Sequence, residues 1–534
     1  MEQLLHSHRP RLYITVSVLH NPTGATLSLA VAHRLLKLAQ AHELLIVEDD
    51  SYSHLAPAHL PRLAALDGVD EFDPLFFEIS PREAQEMDPR QRLLLQEAWG
   101  ALEDAGYGPV QLQRERVGMF VGVEQGDYQV LVAGAGGSVT ANHDAILASR
   151  LAYVLNLRGP AMAINTACSS GLVAAHQACQ AIRVGDCDSA IVAGVNRLLT
   201  PAPFVAMGQA GMLSGERECR VFDKRANGLV PGEAVVALVI KKLTQAQADG
   251  DPIHAVIRGS GINYDGKTNG ITAPSGAAQA RLLQETYERS KVDPAQIGYI
   301  VAHGTGTRLG DPVEINALAE AFGGSAARAG SCALTSTKPN VGHTFAASGL
   351  VSLVGLVQAL KNELIPASLH CEEDSEYIDW ANSPFHVNKA PTPWTGAARL
   401  GAVSAFGMSG TNAHMVVQSY EEARPLASQA QPWQLLAVAG KPLQAVQERA
   451  KQLIALLQSR PWVPEELQAM SDTLLSGRQH LSHRAAVVVH DAEGAIHALQ
   501  QLAAKDRPAH LFKGVVVREF VPQPALLRYG QELI

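Results

Sequence analysis

Cys168 is placed to act as a nucleophile. It stands in Gly159-Pro160-Ala161-Met162-Ala163-Ile164-Asn165-Thr166-Ala167-Cys168-Ser169-Ser170-Gly171-Leu172-Val173-Ala174-Ala175. An apolar strand runs there into small residues that start a helix with an apolar stripe. At such a turn, free backbone N–H groups and the positive end of the helix dipole favour a thiolate. The same N–H groups can hold a developing oxyanion. A cysteine among small apolar residues is more often plain packing, so corroboration must come from elsewhere.

Two histidine segments supply it. His303-Gly304-Thr305-Gly306-Thr307 follows the apolar run 299–301 and precedes Gly310-Asp311-Pro312-Val313-Glu314. The glycines allow a ligand to approach closely, and the threonine hydroxyls can bond an amide-bearing chain. Ser336-Thr337-Lys338-Pro339-Asn340-Val341-Gly342-His343 leads into a helical pattern at 346–360. Both histidines sit at element ends, where side chains converge on pockets. His20, His143, His176, His254, His370, His386 and His414 lack this setting and read as structural. Two neutral imidazoles near one thiol suit decarboxylation of a malonyl thioester, whose enolate oxygen needs N–H donors. A cysteine protease needs neither a second histidine nor a lysine. Metal ligation by Cys168, His303 and His343 fits by ligand type, but no ligand pair has short metal-site spacing, so no metal is expected.

Three regions must position these residues. Residues 1–67 read as a short α/β piece: a strand-like run at 12–19, the turn signal His20-Asn21-Pro22-Thr23-Gly24, an amphipathic helix and a strand at 44–47. From 68 to 420, strand-length apolar runs fall at 117–123, 161–164, 190–193, 234–241, 255–262, 299–301, 402–405 and 414–417, between longer helical patterns. Short buried strands alternating with helices predict an α/β sandwich with covered sheets. Residues 421–534 begin with a polar linker, and helical patterns at 443–458 and 495–504 flank a strand-like 485–490. A small α/β flanking domain, cut from something longer, is expected there.

Composition narrows the class. Apolar residues make up 47% of the 534 and charged residues 18%, as in a soluble enzyme. The net charge of −9 gives no case for nucleic-acid binding. The six cysteines form no CxxC pair, which points to a reducing compartment. No apolar run of about 18 residues and no signal peptide is read, so a cytoplasmic protein without a membrane span is expected.

In this order, Thr166-Ala167-Cys168-Ser169-Ser170, the His303 segment and Lys338-Pro339-Asn340-Val341-Gly342-His343 resemble β-ketoacyl synthase domains of the thiolase superfamily. Phe77-Glu78-Ile79-Ser80-Pro81-Arg82, Phe222-Asp223-Lys224-Arg225-Ala226-Asn227-Gly228 and Ser404-Ala405-Phe406-Gly407-Met408-Ser409-Gly410-Thr411-Asn412-Ala413-His414 agree with the same family. Gly342-His343-Thr344-Phe345-Ala346-Ala347-Ser348-Gly349-Leu350-Val351-Ser352 looks most like modular polyketide synthases whose acyltransferase acts in trans.

The resemblance implies a five-layered α/β/α/β/α thiolase-like fold and a decarboxylative condensation. Cys168 would hold the acyl chain, His303 and His343 would assist decarboxylation of malonyl, and Lys338 would hold the His343 side. Phe406 and Gly407 would line the oxyanion hole and acyl pocket, with Thr305 and Thr307 on the phosphopantetheine arm. No cofactor is bound directly: substrates arrive on the phosphopantetheine of acyl carrier protein domains, loaded by a trans-acting acyltransferase. A homodimer is implied, with no nucleic acid and no membrane. A transacylating, non-elongating ketosynthase and an inactive remnant are the alternatives.

The usual apolar first strand of such domains is missing. Residues 1–67 instead resemble part of a fold-type I pyridoxal-phosphate aminotransferase, through His20-Asn21-Pro22-Thr23-Gly24 and Glu48-Asp49-Asp50-Ser51-Tyr52. There Asn21, Asp50 and Tyr52 would surround the cofactor ring. No Schiff-base lysine follows in a matching context, so no cofactor is expected and the piece reads as a non-functional remnant. The family's first strand is expected inside the central sheet, with 12–19 as its substitute.

Overall fold

The computed structural model describes residues 12–15, 45–48, 71–108, 112, 114–132, 139–216, 218–396, 398–421, 431–503 and 511–516. Two compact units emerge, Met1–Trp99 with Arg116–Tyr420, and Gly100–Glu115 with Glu421–Ile534. Asn21, Asp50 and Tyr52 lie outside the described residues.

In the first unit, β1 (Leu12–Thr15) and β2 (Leu45–Glu48) form a separate parallel pair. A four-stranded sheet holds β3 (Val117–Gly122), β4 (Ala161–Ile164), β5 (Ser189–Asn196) and β6 (Ala234–Lys241) in the order β4-β3-β5-β6. A six-stranded sheet holds β7 (Ala255–Tyr264), β8 (Ile297–Val301), β9 (Cys332–Thr335), β10 (Phe385–Val387), β11 (Leu400–Phe406) and β12 (Thr411–Ser419) in the order β10-β9-β8-β11-β12-β7.

Helices α2 (Ser170–Val184) and α5 (Ser348–Asn362) lie between the two sheets, touching strands of both. Helix α1 (Asp144–Val154) covers the outer side of β3 and β4, while α3 (Gly276–Ser290) and α4 (Gly310–Phe322) cover the outer side of the larger sheet. This is the five-layered α/β/α/β/α order that the resemblance implies. Because both faces of the sheets are covered, β3, β5 and β11 are buried along their whole length, which is why their sequences run apolar without alternation. Helix α5 with the turn before it (Phe345–Asn362) is long and apolar enough to cross a membrane, contrary to the sequence reading, yet it lies mostly buried between the sheets.

The two sheets repeat one topology. The parallel β9-β8-β11 run followed by antiparallel β12 matches the parallel β4-β3-β5 run followed by antiparallel β6. In the larger sheet β7 continues beyond β12, whereas β6 is an edge strand with all eight residues only half-buried. Two expectations are thereby corrected. Leu12–Thr15 pairs with Leu45–Glu48 and does not join either large sheet, so it does not substitute for a first strand. By the repeat, a strand equivalent to β7 belongs at the edge beside β6, not inside the sheet.

The second unit is a three-stranded antiparallel sheet, β13 (Gln434–Gly440), β14 (His483–Val489) and β15 (Leu511–Val515). It packs on α6 (Leu443–Gln458), α7 (Pro464–Ser476) and α8 (Ala492–Ala503) around its own core of Leu436, Val446, Leu467, Val487 and Leu499.

The central helices touch through glycine. A Cβ on Gly171 of α2 would stand 2.8 Å from the Ala346 carbonyl oxygen, and one on Gly349 of α5 would stand 2.8 Å from the Leu172 Cβ. Gly349→Val should therefore force the helices apart and cost about 1–3 kcal/mol or more from overpacking. A lowered melting temperature is the expected result, and an unchanged one would contradict this packing.

Candidate active site

Cys168 lies in the turn between β4 and α2 and is 4% exposed. Ala167 before it is left-handed (φ 55°), a conformation that costs a non-glycine residue about 1–2 kcal/mol. Side chains over-determine the turn: the Thr166 N–H donates to Ser170 Oγ (2.8 Å), the Ala167 N–H to Asn165 Oδ1 (3.1 Å), and Ser170 Oγ to the Ala167 carbonyl (2.6 Å). Ser348, the first residue of α5, donates to the Cys168 carbonyl at 3.1 Å. The thiol packs with Leu229 and Phe345, beside Leu198, Met207, Met212 and Leu213.

Backbone N–H groups of Met408 and of Cys168 itself face the sulfur. They do not make it acidic, as its place before a helix had suggested. Burial, and then the charge of Glu124, push the thiol up to about 12. In the loop around Phe406 and Gly407, the Gly407 N–H donates to the Thr411 carbonyl (2.8 Å), so the N–H that faces Cys168 is that of Met408. A Cβ on Gly407 would stand 2.3 Å from the Thr166 carbonyl oxygen, so glycine lets the β11–β12 hairpin close over the nucleophile turn.

His303 follows β8, and carboxylates from α4 hold its loop. Glu314 accepts the N–H groups of His303 (2.7 Å) and Gly304 (2.8 Å), and Asp311 accepts those of Thr305 (3.0 Å) and Gly306 (3.1 Å). Burial raises Glu314 and pushes Asp311 up to about 6, against these backbone donors. Lys338, 2% exposed, donates to the His303 carbonyl, and Glu314 partly offsets the lowering that burial imposes on it. Thr305 and Thr307 bring their hydroxyls within 3.1 Å of each other.

His343 is 1% exposed and clamped by its backbone, donating to the Val230 carbonyl (2.6 Å) and accepting from the Gly232 N–H (2.8 Å). Its Nδ1 accepts the Phe345 N–H at 3.1 Å, and the Phe345 ring stacks on the imidazole at 4.7 Å. Burial and the charge of Lys338 hold both His303 and His343 well below the usual histidine range, so both are neutral near pH 7. A neutral imidazole whose Nδ1 accepts must carry its proton on Nε2, so His343 presents an N–H donor. The two rings lie 5.5 Å apart, with Phe406 5.7 Å from His303.

The structure thus gathers half-buried His303 with buried His343, Lys338 and Phe406 in one cluster and joins Cys168 to it through Phe345. His176 and His414, read as structural, pair instead with Ser260 (2.9 Å) and Ser404 (3.0 Å). Glu314 and Asp311 stood beside the His303 motif in sequence but were given no role. Met408, Phe345 and Ser348 lay within segments that carry the resemblance but had no role there, and Glu124 carried no local signal. Among the described residues no cluster of three or more His, Cys, Asp or Glu side chains stands ready for a metal.

A thiol held that high remains protonated near neutrality, and its thiolate fraction rises tenfold per pH unit. Alkylation of Cys168 by iodoacetamide, followed by peptide mass spectrometry, should keep rising past pH 9 toward a midpoint near 12. A plateau at or below pH 9 would contradict the burial and the Glu124 charge assigned to it.

Known proteins are similar to this chain in sequence and fold. Residues 46–246 match the family Beta-ketoacyl synthase, N-terminal domain, 254–372 its C-terminal domain, and 375–488 the Ketoacyl-synthetase C-terminal extension. Residues 1–77 match Aminotransferase class I and II. Polyketide synthase ThaG of Burkholderia thailandensis is 52% identical over 84% of this chain, and PksM of Bacillus subtilis 43% identical over 83%. The chain spans only 8% and 10% of those two proteins. The ketosynthase from module 6 of the bacillaene synthase of Bacillus subtilis superposes with a TM-score of 0.78 at 39% identity, over 85% of this chain and 78% of that one. The OzmH KS7 ketosynthase domain of Streptomyces albus gives 0.79 at 34% identity, over 88% and 83%. Matched in sequence and in fold over most of a solved ketosynthase, this chain belongs to the β-ketoacyl synthase family, among the ketosynthase domains of polyketide synthases.

Proposed function

We propose that the chain condenses a Cys168-bound acyl group with malonyl on an acyl carrier protein. Support comes above all from His343, whose Nδ1 accepts the Phe345 N–H and leaves an Nε2–H donor beside neutral His303. In the first half-reaction the Cys168 sulfur attacks the acyl-carrier thioester. The carbon–sulfur bond to pantetheine breaks, and the Cys168 proton leaves with the carrier thiol. In the second, malonyl on a carrier loses carbon dioxide, and the electron pair of the broken bond forms an enolate whose oxygen His303 and His343 stabilise. The enolate carbon attacks the Cys168 thioester, the oxyanion sits between the N–H groups of Cys168 and Met408, and the carbon–sulfur bond to Cys168 breaks. The β-ketoacyl carrier departs and the cysteine is reprotonated.

Within this reading Thr305 and Thr307 bond the pantetheine amides and Phe406 borders the acyl channel. Lys338, bonded to the His303 carbonyl, keeps the histidine loop in place. Residues 68–420 are the condensing domain and 421–534 a flanking domain. Residues 1–67 serve no catalytic purpose. The enzyme works in the cytoplasm with carrier domains and an acyltransferase acting in trans, as a homodimer. Strand β4 favours the dimer, since it is an edge strand whose Ala161 and Met162 are exposed, Met162 by 42%. Sedimentation should return a dimer that Met162→Asp weakens, and a monomeric wild type at micromolar concentration would refute it.

Intact-mass analysis with an acyl-N-acetylcysteamine thioester should show one acyl addition on wild type and none on Cys168→Ala. With malonyl carrier, His303→Ala and His343→Ala should each lose roughly 100-fold or more in carbon dioxide release. Acylation without carbon dioxide release would identify a transacylating enzyme. No acylation and no cooperative melting would identify an inactive remnant.

A further inference from the structure

The apolar wall beside Cys168 stands on a helix that other segments hold in place. Leu198, Met207, Met212 and Leu213 pack with the thiol, Leu229 and Phe345. Met207 belongs to the short helix Ala202–Gln209, and Leu198 to the turn that joins β5 to it. Pro201, at the helix start, contributes neither a capping side chain nor an N–H. Two carboxylates hold the turn instead. Glu233 accepts the Leu198 N–H at 2.8 Å and Arg197 Nη1 at 2.6 Å. Asp127 Oδ2 accepts the N–H groups of Leu199 (3.0 Å) and Thr200 (2.7 Å). Backbone ties the far end of the helix, where the Met212 N–H donates to the Met207 carbonyl (3.0 Å) and the Leu229 N–H to the Met212 carbonyl (2.9 Å).

Asp127 comes from the loop after β3, and that loop is itself fixed. The Val123 N–H donates to the Ile164 carbonyl at 2.9 Å, tying it to the strand that leads into Cys168. The Glu124 carbonyl accepts Arg90 Nη1 at 2.6 Å, and Arg90, 3% exposed, is held by Asp88 and Asp144 at 2.8 Å. Tyr128, the next residue, donates its hydroxyl to the Gln85 carbonyl at 2.9 Å. One loop thus fixes both the strand of the nucleophile and the helix of the wall. Hydrogen bonds to a carboxylate are the stronger kind, and methionine side chains repack around whatever backbone carries them. Where Met207 meets the thiol is therefore decided by the turn that aims its helix.

We infer that Asp127 is a positioning residue for the acylation of Cys168. Its carboxylate holds the Leu199–Thr200 turn, and through it the Met207 helix, at the distance that decides how much bulk beside the thioester the wall admits. The inference rests on Cys168 being the acyl acceptor and deepens that reading by a residue that acts through the helix. Glu233 shares the turn, but it adjoins Gly232, whose N–H clamps the His343 carbonyl at 2.8 Å. A change at Glu233 would disturb the histidine too, so the test uses Asp127.

The full chain is treated with N-acetylcysteamine thioesters of a slim acid, hexanoate, and a broad one, cyclohexanecarboxylate. Rates of mass gain at Cys168 are read by intact-mass spectrometry, each divided by the rate of the same ester with free N-acetylcysteine to remove intrinsic reactivity. Wild type should favour hexanoyl roughly tenfold or more, the scale of shape discrimination in an apolar pocket. Asp127→Ala should cut that ratio roughly fivefold. Asp127→Asn, whose amide oxygen still accepts both N–H groups, should stay within about twofold of wild type. Met207→Ala should lower the ratio as well, and Asp127→Ala added to it should change little further, because both act on one wall. A general loss of activity slows both esters alike and leaves the ratio unmoved, and melting curves establish that each variant is folded. Should Asp127→Ala not fold, Asp127→Glu reads the same contact, since its longer side chain displaces the turn and should lower the ratio. A wild-type ratio near one, an unchanged ratio in the folded variant, or an effect that adds in full to that of Met207→Ala overturns this inference alone. Failure of folded wild type to load either ester overturns the condensing reading with it.

Discussion

The site depends on two helices packed at glycine distance between two sheets. Helix α2 begins just after Cys168, and α5 begins with Ser348, which bonds the Cys168 carbonyl. Gly171 and Gly349 let the helices meet where a Cβ would stand 2.8 Å from its neighbour. Their N-terminal ends therefore coincide, and so do the turns that precede them, one carrying the thiol and the other His343. Filling either glycine moves the nucleophile relative to its histidine, so the packing constraint and the catalytic constraint are one.

Around that point the polar groups are arranged to fix backbone more than to exchange protons. Glu314 and Asp311 accept four N–H groups of the His303 loop, Asp311 also accepts that of Phe222, and Lys338 donates to the same loop. Burying such charges is expensive, and they persist because every one has partners. The result is a pair of neutral imidazoles, His343 buried and His303 half-buried, where an N–H donor is worth more than in bulk water. The proposed decarboxylation needs that state, since the enolate oxygen has to find its donors already in place.

The thiol shows a competition that magnitudes decide. A helix N-terminus lowers a thiol and burial raises it, and here burial wins, helped by the Glu124 charge. Backbone N–H groups of Cys168, just before the helix, and of Met408, in the β11–β12 loop, still face the sulfur, where they can hold the oxyanion of the proposed condensation.

The candidate site residues were legible in the sequence because each lies in a short segment whose small and turn-forming residues are needed locally. Cys168 at a strand-to-helix turn, His303 among glycines and threonines, and His343 after a Gly342 at φ 74° are of this kind. The strands at Ala161–Ile164 and Ala234–Lys241 were legible as unbroken apolar runs, because covered sheets need no alternation. Short strands such as Phe385–Val387 were not, since three residues carry no periodicity. Nor could pattern place Met408, Ser348 or Glu124, which meet Cys168 from 240, 180 and 44 residues away in the chain. Residue type and spacing singled out the candidate groups of the site. Tertiary structure alone decided the thiol's pKa, the tautomer of His343, which loop N–H faces the sulfur and where the β6 edge lies, because each is set by what long-range packing brings within a hydrogen bond or takes out of water.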